Sequence, residues 1–199
     1  MNTTNKDYFT FNVHNSALVV GQTGSGKTKL VRQYIRRLEQ AFTPEQMKYV
    51  IYDLKVVEFD PKWDGGAKQE YLYTLVRTGK PEDMDYLEEL AQLAEKRATE
   101  EEPQPMIFIY IEECDLAVQY PDRFHDAVII INTNAKRANM KLIFSTSRPS
   151  PDIITPDFRD SFDLILSGNL ASETDEKTVG ITGAISLPPH EFIVKENKR

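Results

Sequence analysis

Residues 17–28 read Ala17-Leu18-Val19-Val20-Gly21-Gln22-Thr23-Gly24-Ser25-Gly26-Lys27-Thr28. Four apolar residues that end at a glycine predict a short buried strand. The next eight residues match G-x-x-x-x-G-K-[ST], the pattern of a phosphate-binding P-loop. Glycines let the backbone curl until successive N–H groups point at phosphate oxygens, and the dipole of the following helix adds to this attraction. The stretch therefore predicts a strand, a nucleotide-binding loop and a helix, in that order.

The P-loop predicts ATP and Mg²⁺ as the cofactors of this chain. Lys27 would reach the β- and γ-phosphates, and the Thr28 hydroxyl would ligate Mg²⁺. The loop residues that would surround the same ligand are Gly21, Gln22, Thr23, Gly24, Ser25 and Gly26. A glycine-rich turn without a ligand is the alternative. It is disfavoured because the motif lies between an apolar strand and an amphipathic helix.

A second motif ends the apolar run Ile107–Ile111, where Glu112 and Glu113 follow directly. A buried strand that ends in two carboxylates fits a Walker B element. Glu112 would hold the Mg²⁺ shell, and Glu113 would orient or deprotonate the attacking water. Aspartate is more usual at the first position, and the longer glutamate allows an indirect contact with Mg²⁺. The alternatives are an acidic strand end in solvent and a nucleotide-binding module without hydrolysis.

A third motif, Phe144–Pro149, ends another apolar run in small hydroxyl residues and Arg148. Thr146 or Ser147 would lie near the γ-phosphate as a polar sensor. An ordinary exit from a strand into a loop explains the pattern equally well.

Short apolar runs alternate with helical stretches, which is typical of βα units around a mostly parallel sheet. Further strands are predicted at residues 49–52, 107–111, 140–144, 162–166 and 191–194, with a short one at 71–76. Helices are predicted at residues 27–41, 83–97 and 122–138, with a helical turn at 43–46. Asn139 is predicted to end the last helix in a left-handed conformation. The pattern predicts one α/β domain over residues 1–199.

The composition excludes several classes of protein. The 199 residues carry 24 Lys and Arg against 31 Asp and Glu, a formal net charge of −7. A small protein that covers DNA with its whole surface would be basic, so a local patch or a ring stays open instead. One cysteine excludes a disulfide framework and a cysteine zinc site within one chain. Since no apolar run approaches ~20 residues and no secretory pattern is present, we expect a cytoplasmic protein.

Beyond the P-loop, the chain resembles the FtsK/SpoIIIE branch of the FtsK–HerA superfamily of ring-forming, DNA-pumping ATPases. Asp53–Glu58 resembles the family's D-P-K-x-x-E-L, and Glu112–Leu116 is similar to D-E-F-A-D-L with one residue fewer. Ala135–Ala138 and Ser145–Ser150 resemble A-R-A-A-G and A-T-Q-R-P-S, and Pro151–Thr155 resembles V-D-V-I-T. Several ordered matches at similar spacing are more specific than a P-loop alone.

This resemblance implies a RecA-like (ASCE) P-loop ATPase with a mostly parallel sheet flanked by helices. It also implies a homo-oligomeric, hexameric ring around double-stranded DNA. Such rings usually complete the site with an arginine from the neighbouring subunit. Arg148 and Arg159 are the candidates, and a surface salt bridge is the alternative for each. Two positions depart from the family, because Ser147 stands at the usual sensor glutamine and Glu112 at the usual aspartate.

The biological role that we predict is the packaging of a viral genome. Motor cores of about this size, without the family's membrane, linker and winged-helix domains, are typical of the superfamily's packaging ATPases. The motor would act in the host cytoplasm with a portal, capsid-vertex or membrane protein, and without a membrane segment of its own. Two alternatives stay open: a conjugation-type DNA-transfer motor of a mobile element, and a protein-pumping secretion ATPase.

Overall fold

The computed structural model describes residues 13–53, 58–62, 66–74, 77–113 and 115–197. The strands are β1 (Ser16–Val20), β2 (Met47–Asp53), β3 (Met106–Glu112), β4 (Met140–Thr146), β5 (Leu164–Ser167) and β6 (Ile193–Glu196). The helices are α1 (Lys27–Ala41), α2 (Pro81–Arg97), α3 (Leu116–Gln119), α4 (Pro121–Ala138), α5 (Pro156–Asp160) and α6 (Glu173–Val179). No helix in these ranges is long and apolar enough to cross a membrane.

The strands form one sheet in the order β2-β3-β4-β1-β5-β6, parallel throughout except for β6, which runs antiparallel to β5. Carboxyl ends of parallel strands meet at one edge of a sheet, where ligands of such folds bind. In the register, Val20 lies beside Thr146, and Glu112 lies beside Ser145. The P-loop, the paired glutamates and the end of β4 therefore share one edge.

Helices cover both faces of the sheet, because the three long helices α1, α2 and α4 each have an apolar stripe. From α1, Val31, Tyr34 and Leu38 are buried against one face. On the other face, α2 and α4 pack together, and Phe124 of α4 lies edge-on to Phe144. The predicted α/β fold with a mostly parallel, helix-flanked sheet is confirmed.

The predicted α1 matches the observed residues 27–41, and Asn139 ends α4 with φ 49° as expected. Residues 43–46 form a hydrogen-bonded turn and not a helix. The predicted strand at 71–76 is wrong for its described part, since Gln69–Tyr71 is a 3₁₀ turn and Leu72 makes only an isolated bridge to Tyr49. Residues 75 and 76 lie outside the described residues, as do residues 54–57 and 114. Sequence reasoning missed α3, α5 and α6.

Candidate nucleotide-binding site

The P-loop leaves β1 and enters α1 through a curl that depends on glycine. Gly24 and Gly26 have φ values of 84° and 101°, in the left-handed region that other residues adopt at a cost. The loop is tied to its neighbours on both sides. The Gly21 amide donates to the Thr146 carbonyl at 3.3 Å, and the Gln22 amide donates to the Asn169 carbonyl at 2.7 Å. The ends of β4 and β5 therefore hold the loop in place.

Lys27 lies at the centre of this curl, and only 7% of the residue is exposed. Its Nζ donates to the carbonyl oxygens of Gly21 and Gln22 at 2.7 and 3.3 Å, and to Ser147 Oγ at 2.9 Å. The ammonium group is thus held between the P-loop backbone and the residue that follows β4.

Thr28 and Glu112 lie next to each other, although 84 residues separate them. Thr28 Oγ1 donates to Glu112 Oε1 at 2.7 Å. Hydroxyl and carboxylate oxygens are suitable ligands for Mg²⁺. This ion commonly binds one or two carboxylates and completes its coordination shell with phosphates and water. Within the described ranges there is no group of three or more His, Cys, Asp or Glu that could hold a metal. The donor set therefore fits Mg²⁺ that arrives with a nucleotide.

Glu113 follows β3 with φ 44°, a left-handed conformation that a non-glycine residue adopts at a cost. Strained residues of this kind cluster at functional sites. Its carboxylate accepts a hydrogen bond from the Ser147 amide, and its own amide donates to the Ser145 carbonyl at 3.0 Å. The residue lines a cavity of about 280 Å³ that it shares with Thr23, Ser147 and Arg148. Glu113 therefore lies at the surface of a cavity that the end of β4 also lines.

The two sensor candidates at the end of β4 have different contacts. Thr146 is buried, and its Oγ1 accepts a hydrogen bond from the Arg148 amide at 3.1 Å, within the turn that follows β4. Ser147 instead contacts two other parts of the site. Its hydroxyl accepts a hydrogen bond from Lys27, and its amide donates one to the Glu113 carboxylate. Of the two sensor candidates, Ser147 is therefore the one that contacts both Lys27 and Glu113.

The two arginine candidates have different surroundings. Arg148 is exposed and lines the same cavity as Glu113. Arg159 lies on α5, where its Nε donates to Asp160 at 2.8 Å and its Nη1 donates to the Thr178 carbonyl at 3.2 Å. The structure brings Arg148 to the chain's own site, and it does not bring Arg159 there.

Sequence reasoning missed two residues that contact the P-loop from the other side. Besides its bond to Gln22, Asn169 donates through Nδ2 to the carbonyls of Ile185 and Leu187. The His190 amide donates to the Ser25 carbonyl at 3.0 Å. Neither residue belongs to a recognisable motif. The pair of prolines before His190 indicates a turn but not its contact with the loop.

The comparison with known families agrees with this geometry. The model described as "AAA domain" matches residues 12–152. This chain belongs to the AAA domain family. Its sequence is also 28% identical over 181 residues to the DNA translocase FtsK of Clostridium tetani, which covers 81% of this chain and 24% of that protein. The resemblance to the FtsK/SpoIIIE type of P-loop ATPase is confirmed, and the chain spans about a quarter of the length of the curated relatives it matches.

Three solved structures share the fold. The pCW3 conjugation coupling protein TcpA is 19% identical with a TM-score of 0.76, over 94% of this chain and 59% of that one. The cytoplasmic domain of the Thermomonospora curvata type VII secretion ATPase EccC is 18% identical with a TM-score of 0.70, over 93% of this chain and 24% of that one. The genome packaging NTPase B204 of Sulfolobus turreted icosahedral virus 2 is 16% identical with a TM-score of 0.61, over 92% of this chain and 93% of that one. At these identities the likeness concerns the fold.

Proposed function

We propose that this chain is an ATP-driven, double-stranded DNA translocase that works as a hexameric ring and packages a viral genome in the host cytoplasm. One observation carries the ATPase part of this proposal. Ser147 contacts both Lys27 and Glu113, and Thr28 contacts Glu112, so the residues that we assign to four catalytic functions lie together at one sheet edge. A phosphate-holding cation, a metal-holding pair, a base and a sensor are the parts that ATP hydrolysis requires.

The residues of this chain divide the work of hydrolysis between them. The curled P-loop amides and Lys27 bind the phosphates of ATP and neutralise their charge. Thr28 and Glu112 would hold Mg²⁺, which when bound would stabilise the charge that develops on the leaving group. Glu113 takes the proton of the water that attacks the γ-phosphate. Ser147 links this carboxylate to Lys27, so loss of the γ-phosphate changes the contacts of both residues together.

DNA as the moved polymer is supported by the sequence relatives, which are named as DNA translocases. The net charge of −7 favours a local basic lining over a wholly basic surface. Contacts to phosphates are independent of base sequence, which suits a motor that must move along any DNA.

The experiment is steady-state ATP hydrolysis by the purified chain, with and without long double-stranded DNA at low salt. We expect DNA to stimulate turnover, and salt to weaken the stimulation because phosphate contacts release counterions. Lys27→Ala should abolish turnover in both conditions. Lys96→Ala, which removes an exposed cation from α2, is the matched control and should behave like the natural chain. Turnover that is indifferent to DNA would contradict the translocase and favour a protein-pumping relative.

A conjugation-type transfer motor is the second candidate, because the TM-score of TcpA, 0.76, is higher than that of B204, 0.61. Packaging is supported by B204, which this chain covers over 93% of its length. Glu113→Gln in the intact genetic element separates the two. Packaging predicts capsids without DNA, whereas a transfer motor predicts that passage of the element between cells is lost.

A further inference from the structure

The segment that precedes β6 folds over the P-loop and is fixed there. Asn169 holds it at one end, since its Nδ2 donates to the Ile185 carbonyl at 2.6 Å and to the Leu187 carbonyl at 3.1 Å. At the other end, the His190 amide donates to the Ser25 carbonyl at 3.0 Å. Because Asn169 also binds the Gln22 amide, one residue positions both the loop and the segment.

The His190 ring lies directly against the P-loop. A Cβ atom built at Gly26 would overlap His190 Nδ1, so the ring occupies the space beside this glycine. Gly26 is the residue immediately before the catalytic Lys27. The residue is nevertheless exposed, so a ligand in solvent can reach it.

The backbone at His190 is unusual for this type of residue. Its φ is 68°, and the Glu191 amide donates to the Pro188 carbonyl at 3.3 Å, which closes a four-residue turn. This turn has proline at its second position and a positive φ at its third. In turns of this kind the third residue is usually glycine. A histidine at this position strains the backbone, and it places an aromatic ring against the P-loop.

The sheet order shows which part of a nucleotide the ring would face. Glu113 and Ser147 follow β3 and β4, which lie on one side of β1, so the γ-phosphate end of a nucleotide points to that side. His190 comes from the opposite side, where β5 and β6 lie. A nucleotide that crosses the P-loop from the γ-phosphate side therefore brings its ribose and base towards His190.

We propose that the His190 ring stacks on the purine of the bound nucleotide and increases the affinity of the site for ATP. This inference rests on the proposed ATPase function. Aromatic side chains stack on bases because each base has a π-face, and the loss of one such contact weakens binding on the order of tenfold. The ring is thus a binding residue for the base, whereas Lys27 binds the phosphates.

The test is the affinity of the purified chain for two probes, ATP and inorganic tripolyphosphate, which lacks a base. His190→Gly keeps the amide bond to Ser25 and suits the left-handed backbone, so the variant should fold. We expect it to weaken ATP binding about tenfold and to leave tripolyphosphate binding unchanged. His190→Phe should retain the affinity for ATP, because it keeps a ring. Asn139→Gly, a left-handed residue at the other end of the sheet, is the matched control and should bind both probes normally.

The outcomes separate this inference from the function on which it rests. If the natural chain binds neither probe, the proposed ATPase function fails. If His190→Gly weakens both probes equally, or tightens both, the residue acts through the shape of the P-loop and the stacking is overturned. Loss of ATP affinity in His190→Phe as large as in His190→Gly also overturns the stacking.

Discussion

Glu113→Gln is the substitution that separates binding from chemistry at this site. The amide oxygen of glutamine can still accept the hydrogen bond from the Ser147 amide, so the geometry should survive. The carboxylate that takes a proton from water is lost, so we expect turnover to fall by about 10² to 10⁴. ATP affinity, measured by titration calorimetry, should stay the same. Asp122→Asn, which removes an exposed carboxylate from α4, should change neither value, and turnover that survives in Glu113→Gln would refute the assignment of the base.

At the scale of single residues, the sequence predicts what is local and misses what is distant. Gly21–Thr28 is one continuous motif, and Glu112 and Glu113 end one strand, so both sets are visible in the sequence. The choice between Thr146 and Ser147 needs the structure, because it depends on which side chain reaches Lys27. His190 reaches the loop through long-range contacts, namely the hydrogen bonds of Asn169 to the segment and the pairing of β5 with β6, which no local pattern records.

At the scale of elements, the buried Lys141 of β4 makes stability depend on pH. Burial lowers the pKa of Lys141 to about 8, and the nearby Asp163 opposes that shift. The unfolded chain, with an ordinary lysine pKa of 10.5, therefore binds more protons than the folded chain between about pH 8 and 10. Stability should rise with pH through this window.

Urea unfolding at pH 7.5 and 9.5 checks this prediction. The natural chain should gain stability between the two values relative to Lys141→Met, which has no charge at this position. The variant also loses the hydrogen bond of Nζ to the His14 carbonyl, so the pH dependence and not the absolute stability is the readout. The same dependence in both proteins would contradict the assignment.

The elements themselves were predictable where their pattern is long. Amphipathic spacing over 15 residues gives α1 its correct bounds, since Val31 and Leu38 must share a face. The helices α3 and α5 have four and five residues, too few for a period to show. The strand expected at 191–194 begins at Ile193, and Glu191 instead closes the turn that carries His190.

At the scale of the whole molecule, the strand order explains how distant motifs form one site. Strand β4 lies between β1 and β3, so the end of β4 separates the P-loop from the paired glutamates. Ser147 can contact both sides only from this central position. Sequence reasoning predicts a mostly parallel sheet but not this order, because the order depends on contacts between strands that are far apart in the chain.

The proposed ring makes a prediction about Arg148 and Arg159 that a single subunit cannot test. Arg148 lines the chain's own cavity, so it should act within its subunit, whereas Arg159 is the remaining candidate for the neighbour's site. Arg159→Gln subunits keep a complete P-loop and Glu113, and Glu113→Gln subunits keep Arg159. Each variant alone should lose turnover. Mixed rings place an intact Arg159 beside an intact Glu113, so ATP hydrolysis should return in part.

Arg148→Ala provides the matched comparison in the same mixing experiment. Its defect lies in the subunit that holds the ATP, so a Glu113→Gln neighbour cannot correct it, and turnover should stay low at every ratio. Since Arg159 also binds Asp160 and the Thr178 carbonyl, thermal unfolding of Arg159→Gln must first show a folded chain. If turnover recovers with Arg148→Ala but not with Arg159→Gln, Arg148 acts in the neighbour's site and Arg159 acts within its own subunit. Recovery with neither would mean that no arginine of this pair crosses the interface, because a residue shared between subunits must be rescued by a neighbour that still carries it.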